Sequence, residues 1–419
     1  MLKNSLSSFI VTILATILSF FVSVLLSHKL NVVDFGIVQF YLSSVLFMSV
    51  ISRLGFDLIF IKYWKEYDSF KKQDLIFITS IVILLLSILF SLLFFFYYKL
   101  DISIGVIIFL LIFISSLNSI VSSYFKAAGE IIRGVYLDSF LNRLVFTFIL
   151  CVIYYYSEIN IEDILLFNLV SYLVPFLYYI YQLRKRCNFK IIKYISLKKS
   201  KHYLWLGAIL SVIGISQSYL KFIDIFYIER LLSPKYISIY TIAMRFNLML
   251  FMINSVVISI VTPKISELYK KNKIQNINLD CSVMTYFVFS IISFSLLGFY
   301  FFGDFLISFF GYETSEIFHV TIVLMIFSAV NMLLGISGVI LSIIGQHKFV
   351  LYVMLIFVLL STLLYPVFIN NFGFYGAVYL TGFISVFWKA ILSLYLYYKF
   401  KIHSFCSPIT CIRYLNEKK

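Results

Sequence analysis

Charge is scarce in this sequence, and acidic charge scarcest. Of 419 residues, 13% are Asp, Glu, Lys or Arg, with 19 acids against 34 bases. A soluble domain carries about 25%. With 62% hydrophobic residues and a mean hydropathy of +1.00, the chain cannot bury its apolar surface in water. Composition therefore excludes a soluble globular domain and implies a polytopic membrane protein. Cysteine is sparse: Cys151, Cys187, Cys281, Cys406 and Cys411 lack metal-ligand spacing. They fall in predicted spans, at span edges or on the cytoplasmic side, so neither a metal site nor a disulfide is expected. No G-x-x-x-x-G-K-[ST] run is present, which argues against a nucleotide site. There is no H-E-x-x-H, no paired carboxylates on one outer strand and no cluster among the five histidines. The longest expected outer loop, about 303–317, is small. These absences weigh against a membrane enzyme.

What is present is a series of long apolar runs. Twelve spans are expected, at about 5–28, 36–61, 75–98, 104–125, 136–157, 164–183, 204–228, 237–262, 281–302, 318–344, 349–369 and 376–398. The run Phe9–Leu26 is too long for a signal-peptide core and no A-x-A site follows, so it reads as a span. Short turns imply that sequence neighbours pack antiparallel. Orientation follows from Lys and Arg. With both termini cytoplasmic, inner segments hold 25 of the 34 bases and outer loops only Lys29, Lys99, Arg230 and Lys235. The outer loops are acidic instead: Glu158, Glu162 and Asp163 in one, Asp304, Glu313 and Glu316 in another. A basic excess spread over many inner loops excludes nucleic acid as the partner.

The longest inner segment, 184–203, carries eight cations and separates the spans six and six. It reads as a positive-inside anchor that touches anionic lipid, or as a tether between halves. The expected organisation is all-α, with an N-lobe at 1–183 and a basic cytoplasmic linker at 184–203. A C-lobe at 204–398 and a cytoplasmic tail at 399–419 follow. The lobes resemble each other. DFGIVQFYLSS (Asp34–Ser44) corresponds to KYISIYTIAMR (Lys235–Arg245), each at the outer start of the second span of its half. KAAGEI (Lys126–Ile131) corresponds to SIIGQH (Ser342–His347), each an inner turn after a fourth span. Six spans per half make the repeat parallel and predict a central cavity between lobes.

At KLNVVDFGIVQF, at ERLLSPKYISIYTIAMRF, at Pro263 and along IIGQHKFVLYVMLIFVLLSTLLYPVFINNFGFYGAVYLTGFIS, the chain resembles the Wzx-type O-antigen flippases. These belong to the multidrug/oligosaccharidyl-lipid/polysaccharide exporter superfamily. The last stretch includes a G-x-x-G-A turn at Gly373, Gly376 and Ala377. The resemblance covers nearly the whole length. It implies two six-helix lobes around a central cationic cavity that opens alternately inward and outward. It also implies an undecaprenyl-pyrophosphate-linked oligosaccharide as ligand and the bacterial cytoplasmic membrane as location. Lipid II flippases of the superfamily usually have fourteen spans, and no room for two more exists here. Multidrug exporters use acidic cation-coupling sites, and acids within these spans are few.

The spans contain five cations, Arg53, Arg143, Lys221, Arg245 and Lys389, against Asp57, Asp138 and Asp224. A charge at membrane depth costs about 2.5–3.5 kcal/mol on insertion scales. The surplus requires water or an anionic ligand, and guanidinium forks suit phosphate oxygens. At about 1.5 Å per residue, Arg53 and Arg143 fall in the inner third, Arg245 and Lys221 in the outer third, and Lys389 between. They form an expected ladder for a pyrophosphate headgroup; the plainer alternative is snorkelling or pairing. Arg53 and Asp57, four apart in one span, are expected on one helix face. Asp224 lies three residues after Lys221 on the same face. Asp57 and Asp224 read as partners of those cations or as sites for a coupling H+ or Na+. Asp138 reads as an interface residue in the first turn of span five. Asn118, Asn142, Asn168, Gln217, Asn247, Asn254 and Asn331 read as interhelical hydrogen bonds that together suit a wet cavity.

No cofactor is expected; the membrane potential alone favours outward movement of an anion. Expected partners are the lipid-linked oligosaccharide, membrane lipids, and the polymerase and chain-length proteins of the same pathway. Two other readings stand beside the flippase: a cation-coupled small-molecule exporter of the same fold, and a membrane-embedded polysaccharide polymerase or glycosyltransferase.

Overall fold

A computed structural model describes residues 2–64, 66, 69–154, 159–186 and 197–405. Every regular element among them is helical. Eleven helical stretches are long and apolar enough to cross a membrane. The last of these, His347–Phe400, has 54 residues and is broken at Gly373, where φ is 59° and ψ is −144°. That backbone conformation is open essentially to glycine alone. The two legs on either side of Gly373 bring the crossings to the expected twelve. Gly376 completes the turn: a Cβ there would strike the carbonyl of Phe368 on the preceding leg.

Contacts divide the chain into Met1–Phe222 and Ile223–Lys419. The division lies within a helix, Leu197–Leu231, and not in the basic segment 184–203, of which 187–196 lie outside the described residues. The tail beyond Phe405, with Cys406 and Cys411, also lies outside them, as does Cys187.

The first unit comprises α1 (Leu2–Lys29), α2 (Val32–Ser52), α3 (Phe56–Tyr63), α4 (Ser69–Tyr98), α5 (Ile102–Ala127), α6 (Ile131–Val135), α7 (Asn142–Ile153), α8 (Ile161–Arg186) and most of α9 (Leu197–Leu231). A π-helical turn, Tyr136–Leu141, joins α6 to α7. Asn31 caps α2, accepting from the Asp34 backbone N–H at 2.8 Å while its amide donates to the Asp34 carboxylate at 2.7 Å. This reciprocal cap fixes the start of the second span.

The second span is not one continuous helix. α2 ends at Ser52, and Leu54 and Gly55 take left-handed φ values of 43° and 69° before α3 begins. The break packs backbone to backbone on α9. A Cβ on Gly55 would lie 2.6 Å from the Gly207 carbonyl oxygen, and one on Gly207 would lie 2.7 Å from that of Leu54. Below it α3 is anchored by aromatics: Trp64 stacks on Phe60 at 5.2 Å and meets Tyr124 of α5 edge-on at 5.0 Å. Phe56, Ile59, Leu75 and Phe125 complete this cluster.

The second unit comprises α10 (Pro234–Lys270), α11 (Ile274–Ser308), α12 (Thr314–Leu333), α13 (Ser337–Ile343) and α14 (His347–Phe400). Phe246, Phe299, Phe310 and Phe318 form its aromatic core. Its broken span falls at Gly335 (φ 71°), between α12 and α13.

Two features are common to the units. The turns at Gly129 (φ 92°) and Gly345 (φ 87°) close with the same bonds. Glu130 N–H donates to the Phe125 carbonyl and Gly129 N–H to that of Lys126; Gln346 donates to Leu341 and Gly345 to Ser342. Both are helix ends of the glycine-capped type. In addition, the Asn118 amide donates to the Tyr172 carbonyl at 2.9 Å, and the Asn331 amide to the Ser385 carbonyl at 2.5 Å. The two partners are 54 residues apart in both cases. The first bond ties the fourth span of the chain to the sixth, and the second ties the tenth to the twelfth.

After α14 the chain leaves through a left-handed Lys401 (φ 57°) into an extended segment, Lys401–Phe405. Ile402 and Ser404 are fully buried. His403 N–H donates to the Asn278 Oδ1 at 2.9 Å, and its ring packs between Tyr397 and Phe405.

Two predictions follow the backbone directly. Gly129→Ala and Gly345→Ala should each destabilise by about 1–2 kcal/mol through the left-handed φ alone, since no atom lies within 4 Å of either added Cβ. Gly376→Ala should cost more, because backbone must move. Thermal unfolding in detergent reads both; an unchanged midpoint for all three would contradict these turns. Burial lowers the pKa of His403 from its ordinary 6.5. The protonated ring is therefore favoured when the segment is unseated, so the seating is intact above the ordinary value and weakens as pH falls through it. Exchange of the His403 amide, corrected for intrinsic rate, should accelerate on acidification and lose that dependence in His403→Gln. An exchange rate flat with pH in the parent chain would contradict it.

Candidate functional site

Each unit has a polar centre at the position where a span breaks. In the first unit Arg53 is the C-cap of α2 and Asp57 lies in the first turn of α3. The expectation of a single helix face is thereby corrected: the two residues flank a break. They still approach, Arg53 Nη1 to Asp57 Oδ2 at 3.7 Å, a loose contact. Arg53 Nε also donates to the Ser49 carbonyl at 3.1 Å, and that carbonyl accepts from Ser116 of α5 at 3.2 Å. The Arg53 backbone N–H reaches the same carbonyl at 3.3 Å, and the partial negative charge at a helix C-terminus favours a guanidinium there.

The π-helical turn brings further charge to this centre. Asp138, expected as an interface residue, packs against α5. It is half-buried, and its Oδ1 accepts from Ser119 of α5 at 3.2 Å. Widening the helix at this turn rotates Asp138 toward α5 and Asn142 toward α8. Arg143 Nη1 donates to the Ser139 carbonyl at 2.6 Å. Tyr172 of α8 is hydrogen-bonded to the Asn142 side chain and lies within electrostatic reach of Arg143, Asp138 and Arg53. Asn118 Oδ1, beside it, is buried with no partner among the described residues. Thus Arg53, Arg143 and Asp138 converge around one tyrosine, with Asp57 beside Arg53. Tyr172 was not legible as a site residue, being one of 32 tyrosines.

The second unit places Lys389 on α14 with its Nζ donating to Asn331 Oδ1 at 2.9 Å and 4.0 Å from the Met332 sulfur. It does not snorkel; it is held by a neutral amide next to the Gly335 break. Asn331 has a backbone partner in the same place as Asn118, but its oxygen is satisfied by Lys389, whereas that of Asn118 is not.

Asp224 of α9 is 1% exposed and accepts from the Tyr240 phenol on α10. The Tyr240 oxygen also lies 3.2 Å from Thr381 Oγ1, and Thr381 meets the Tyr365 hydroxyl at 2.9 Å. Tyr365 stacks on Tyr227 at 5.5 Å, with ring planes 9° apart. The sequence reading gave Asp224 to Lys221 or to an ion and did not anticipate the phenol. Lys221 is exposed, its Nζ 5.1 Å from the Phe222 ring centroid. Arg245 is half-buried on α10.

Among the described residues, Arg143 and Lys389 donate hydrogen bonds only to neutral acceptors. Such groups bind anions once water or a ligand reaches them. Asp224 is buried, with the Tyr240 phenol on one carboxylate oxygen and the Ile225 N–H on the other. Among the described residues no cluster of His, Cys, Asp and Glu is arranged to hold a metal.

Among the described residues, eleven helical stretches, the last broken at Gly373, are long and apolar enough to cross a membrane, and solved membrane-transporter structures share this fold. The chain is similar to a structure titled as lipid II flippase MurJ in an inward closed conformation (TM-score 0.70, 16% identity, 99% of this chain and 91% of that one). It is also similar to an inward-facing multidrug resistance MATE family transporter of the MOP superfamily (TM-score 0.67, 13% identity, 93% and 97%). A MOP superfamily transporter from Pyrococcus furiosus, titled for the reverse polarity of its binding pocket, matches at TM-score 0.60 and 12% identity over 94% of each chain. No curated protein matches significantly in sequence. Residues 1–269 match the family described as polysaccharide biosynthesis protein, and the chain belongs to that family.

Removing the Tyr240 hydroxyl should take one donor from a buried carboxylate, a loss of about 1–3 kcal/mol. Tyr240→Phe should therefore lower the thermal midpoint in detergent, and Asp224→Asn in the same chain should recover part of it. An unchanged midpoint for Tyr240→Phe would contradict this account of the pair.

Proposed function

We propose that the protein is a flippase carrying an undecaprenyl-pyrophosphate-linked oligosaccharide from the cytoplasmic to the outer leaflet of a bacterial cytoplasmic membrane. The product would feed O-antigen or another surface polysaccharide. The observation that carries the reading is the pair Arg143 and Lys389, cations in apolar helices with neutral acceptors as hydrogen-bond partners. A desolvated cation is stable only if something anionic or wet meets it during the working cycle. Within a polysaccharide biosynthesis family, a pyrophosphate linked to sugar and lipid is the anion that fits.

In this reading Arg53 and Arg143 receive the headgroup near the cytoplasmic side, Lys389 meets it midway, and Arg245 with Lys221 hold it on the outer side. Arg53 is only loosely engaged by Asp57, so exchange of that carboxylate for phosphate oxygens is cheap. Outward movement of negative charge is favoured by an inside-negative potential by about 2.3 kcal/mol per charge per 100 mV. Asp224 adds a route for coupling. Protonation of its carboxyl would release Tyr240, and Thr381 and Tyr365 would rearrange with it. That buried acid is also the one feature favouring the second reading, a cation-coupled small-molecule exporter.

Deletion in the native strain separates the two. The flippase reading expects lipid-linked oligosaccharide to accumulate on the inner leaflet, and surface polysaccharide to return with the wild-type gene. Arg53→Ala, Arg143→Ala and Arg245→Ala should each restore at least about tenfold less at normal protein abundance. Arg→Lys should be intermediate, because the fork is lost and the charge kept. Full restoration by all three alanine variants, or drug sensitivity without lipid accumulation, would remove the proposal.

A further inference from the structure

The extended segment after α14 does more than end the helix. Its five residues contact three separate elements. Asn278 of α11 grips it twice, donating to the Lys401 carbonyl at 3.2 Å and accepting from the His403 N–H at 2.9 Å. Thr285 of α11 donates to the Ser404 carbonyl at 3.2 Å. Ser404 Oγ donates to the Leu334 carbonyl at 3.0 Å and lies 2.8 Å from the Ser393 hydroxyl of α14. One hydroxyl chain thus links α14, the segment and the end of α12.

The seat is the helix break. Leu334 belongs to the turn that opens α12 from α13, and its carbonyl is one that the break deprives of an intrahelical donor. Gly335 makes room: a Cβ there would overlap the Ser404 carbonyl. The seat also adjoins the polar centre. Leu334 follows Asn331 by three residues, and Ser393 follows Lys389 by four, so both anchors lie one helical turn from the Lys389–Asn331 bond. Behind the segment is a small cavity walled by Asn254, Cys281, Thr285, Met332 and Gly335.

The hold is of the reversible kind. It consists of neutral side-chain hydrogen bonds, one fully buried aliphatic residue, Ile402, and ring contacts of His403 and Phe405 with Tyr397, with no ion pair among the described residues. It is entered through a non-glycine residue in the left-handed region, a conformation that favours departure. We propose that Lys401–Phe405 is an intramolecular latch. Seated, it satisfies the Leu334 carbonyl and locks the α12–α13 break beside Lys389; released, it lets the break and its cavity open. This goes beyond the flippase reading and does not need it.

Cys281, buried in the cavity wall, reports on the seat. In the full chain with Cys151, Cys187, Cys406 and Cys411 changed to Ser, N-ethylmaleimide labelling of Cys281 in membranes should be slow. A chain ending at Phe405 should label equally slowly. A chain ending at Phe400 should label at least about tenfold faster, and Ser393→Ala with Ser404→Ala about threefold faster. Equal rates in all of them overturn the proposal. If the chain ending at Phe400 does not accumulate, the double alanine variant decides alone. Release is tested by Ser393→Cys with Ser404→Cys in a chain otherwise lacking cysteine, since a hydroxyl separation of 2.8 Å suits a disulfide. Oxidation should stop surface-polysaccharide export and a reductant restore it. Equal export in both states means the segment never leaves its seat and overturns the latch. Absence of export in every chain, including the parent, would count against the flippase reading instead, and the labelling would still judge the latch.

Discussion

Hydrocarbon offers no hydrogen bonds, so every carbonyl released by a broken helix and every charge at depth must be met by the protein itself or by a ligand. In this chain that requirement falls on a small set of side chains. Asn118 bridges the fourth and sixth spans of the chain and Asn331 the tenth and twelfth, each through a backbone oxygen 54 residues on. Arg53 covers the end of α2, and Ser404 covers the end of α12. The breaks exist because Gly55 and Gly335 admit left-handed backbone and close approach. Remove the amides or the glycines, and the polar centres lose the geometry that holds cations without neutralising them.

The first unit gathers both signs of charge around Tyr172; the second separates them, with Lys389 on an amide and Asp224 under a phenol. The asymmetry at the asparagine pair is informative. Asn331 gives its oxygen to Lys389, while Asn118 Oδ1 is buried with no partner among the described residues. The repeat supplies the frame, and the departures from it sit where chemistry is expected.

Much of the fold was legible in the sequence, because a membrane reduces the question to apolar length and turn residues. The span count, the G-x-x-G-A turn and the matching turns at Gly129 and Gly345 were all read correctly from punctuation. What could not be read was anything set by local unwinding. Nothing in SRLGFDL distinguishes a continuous helix with Arg53 and Asp57 on one face from a helix broken at Gly55. Nor does YLDSFL announce the π turn at which Asp138 accepts from Ser119. Tyr240 and Tyr172 were hidden among many tyrosines, since their roles come from tertiary neighbours and not from spacing. The contacts divide the chain within α9, where Gly207 packs backbone to backbone on Leu54 of the first unit.

The central claim is that cations held by neutral groups at membrane depth are kept for a pyrophosphate. The direct measurement is equilibrium binding of a short polyprenyl pyrophosphate, and of the matching polyprenyl alcohol, to the purified protein. The account predicts that the pyrophosphate binds at least about tenfold tighter, a preference of about 1.4 kcal/mol, and that Arg143→Ala with Lys389→Ala abolishes the difference. Equal affinity for the two lipids in the parent chain would contradict it.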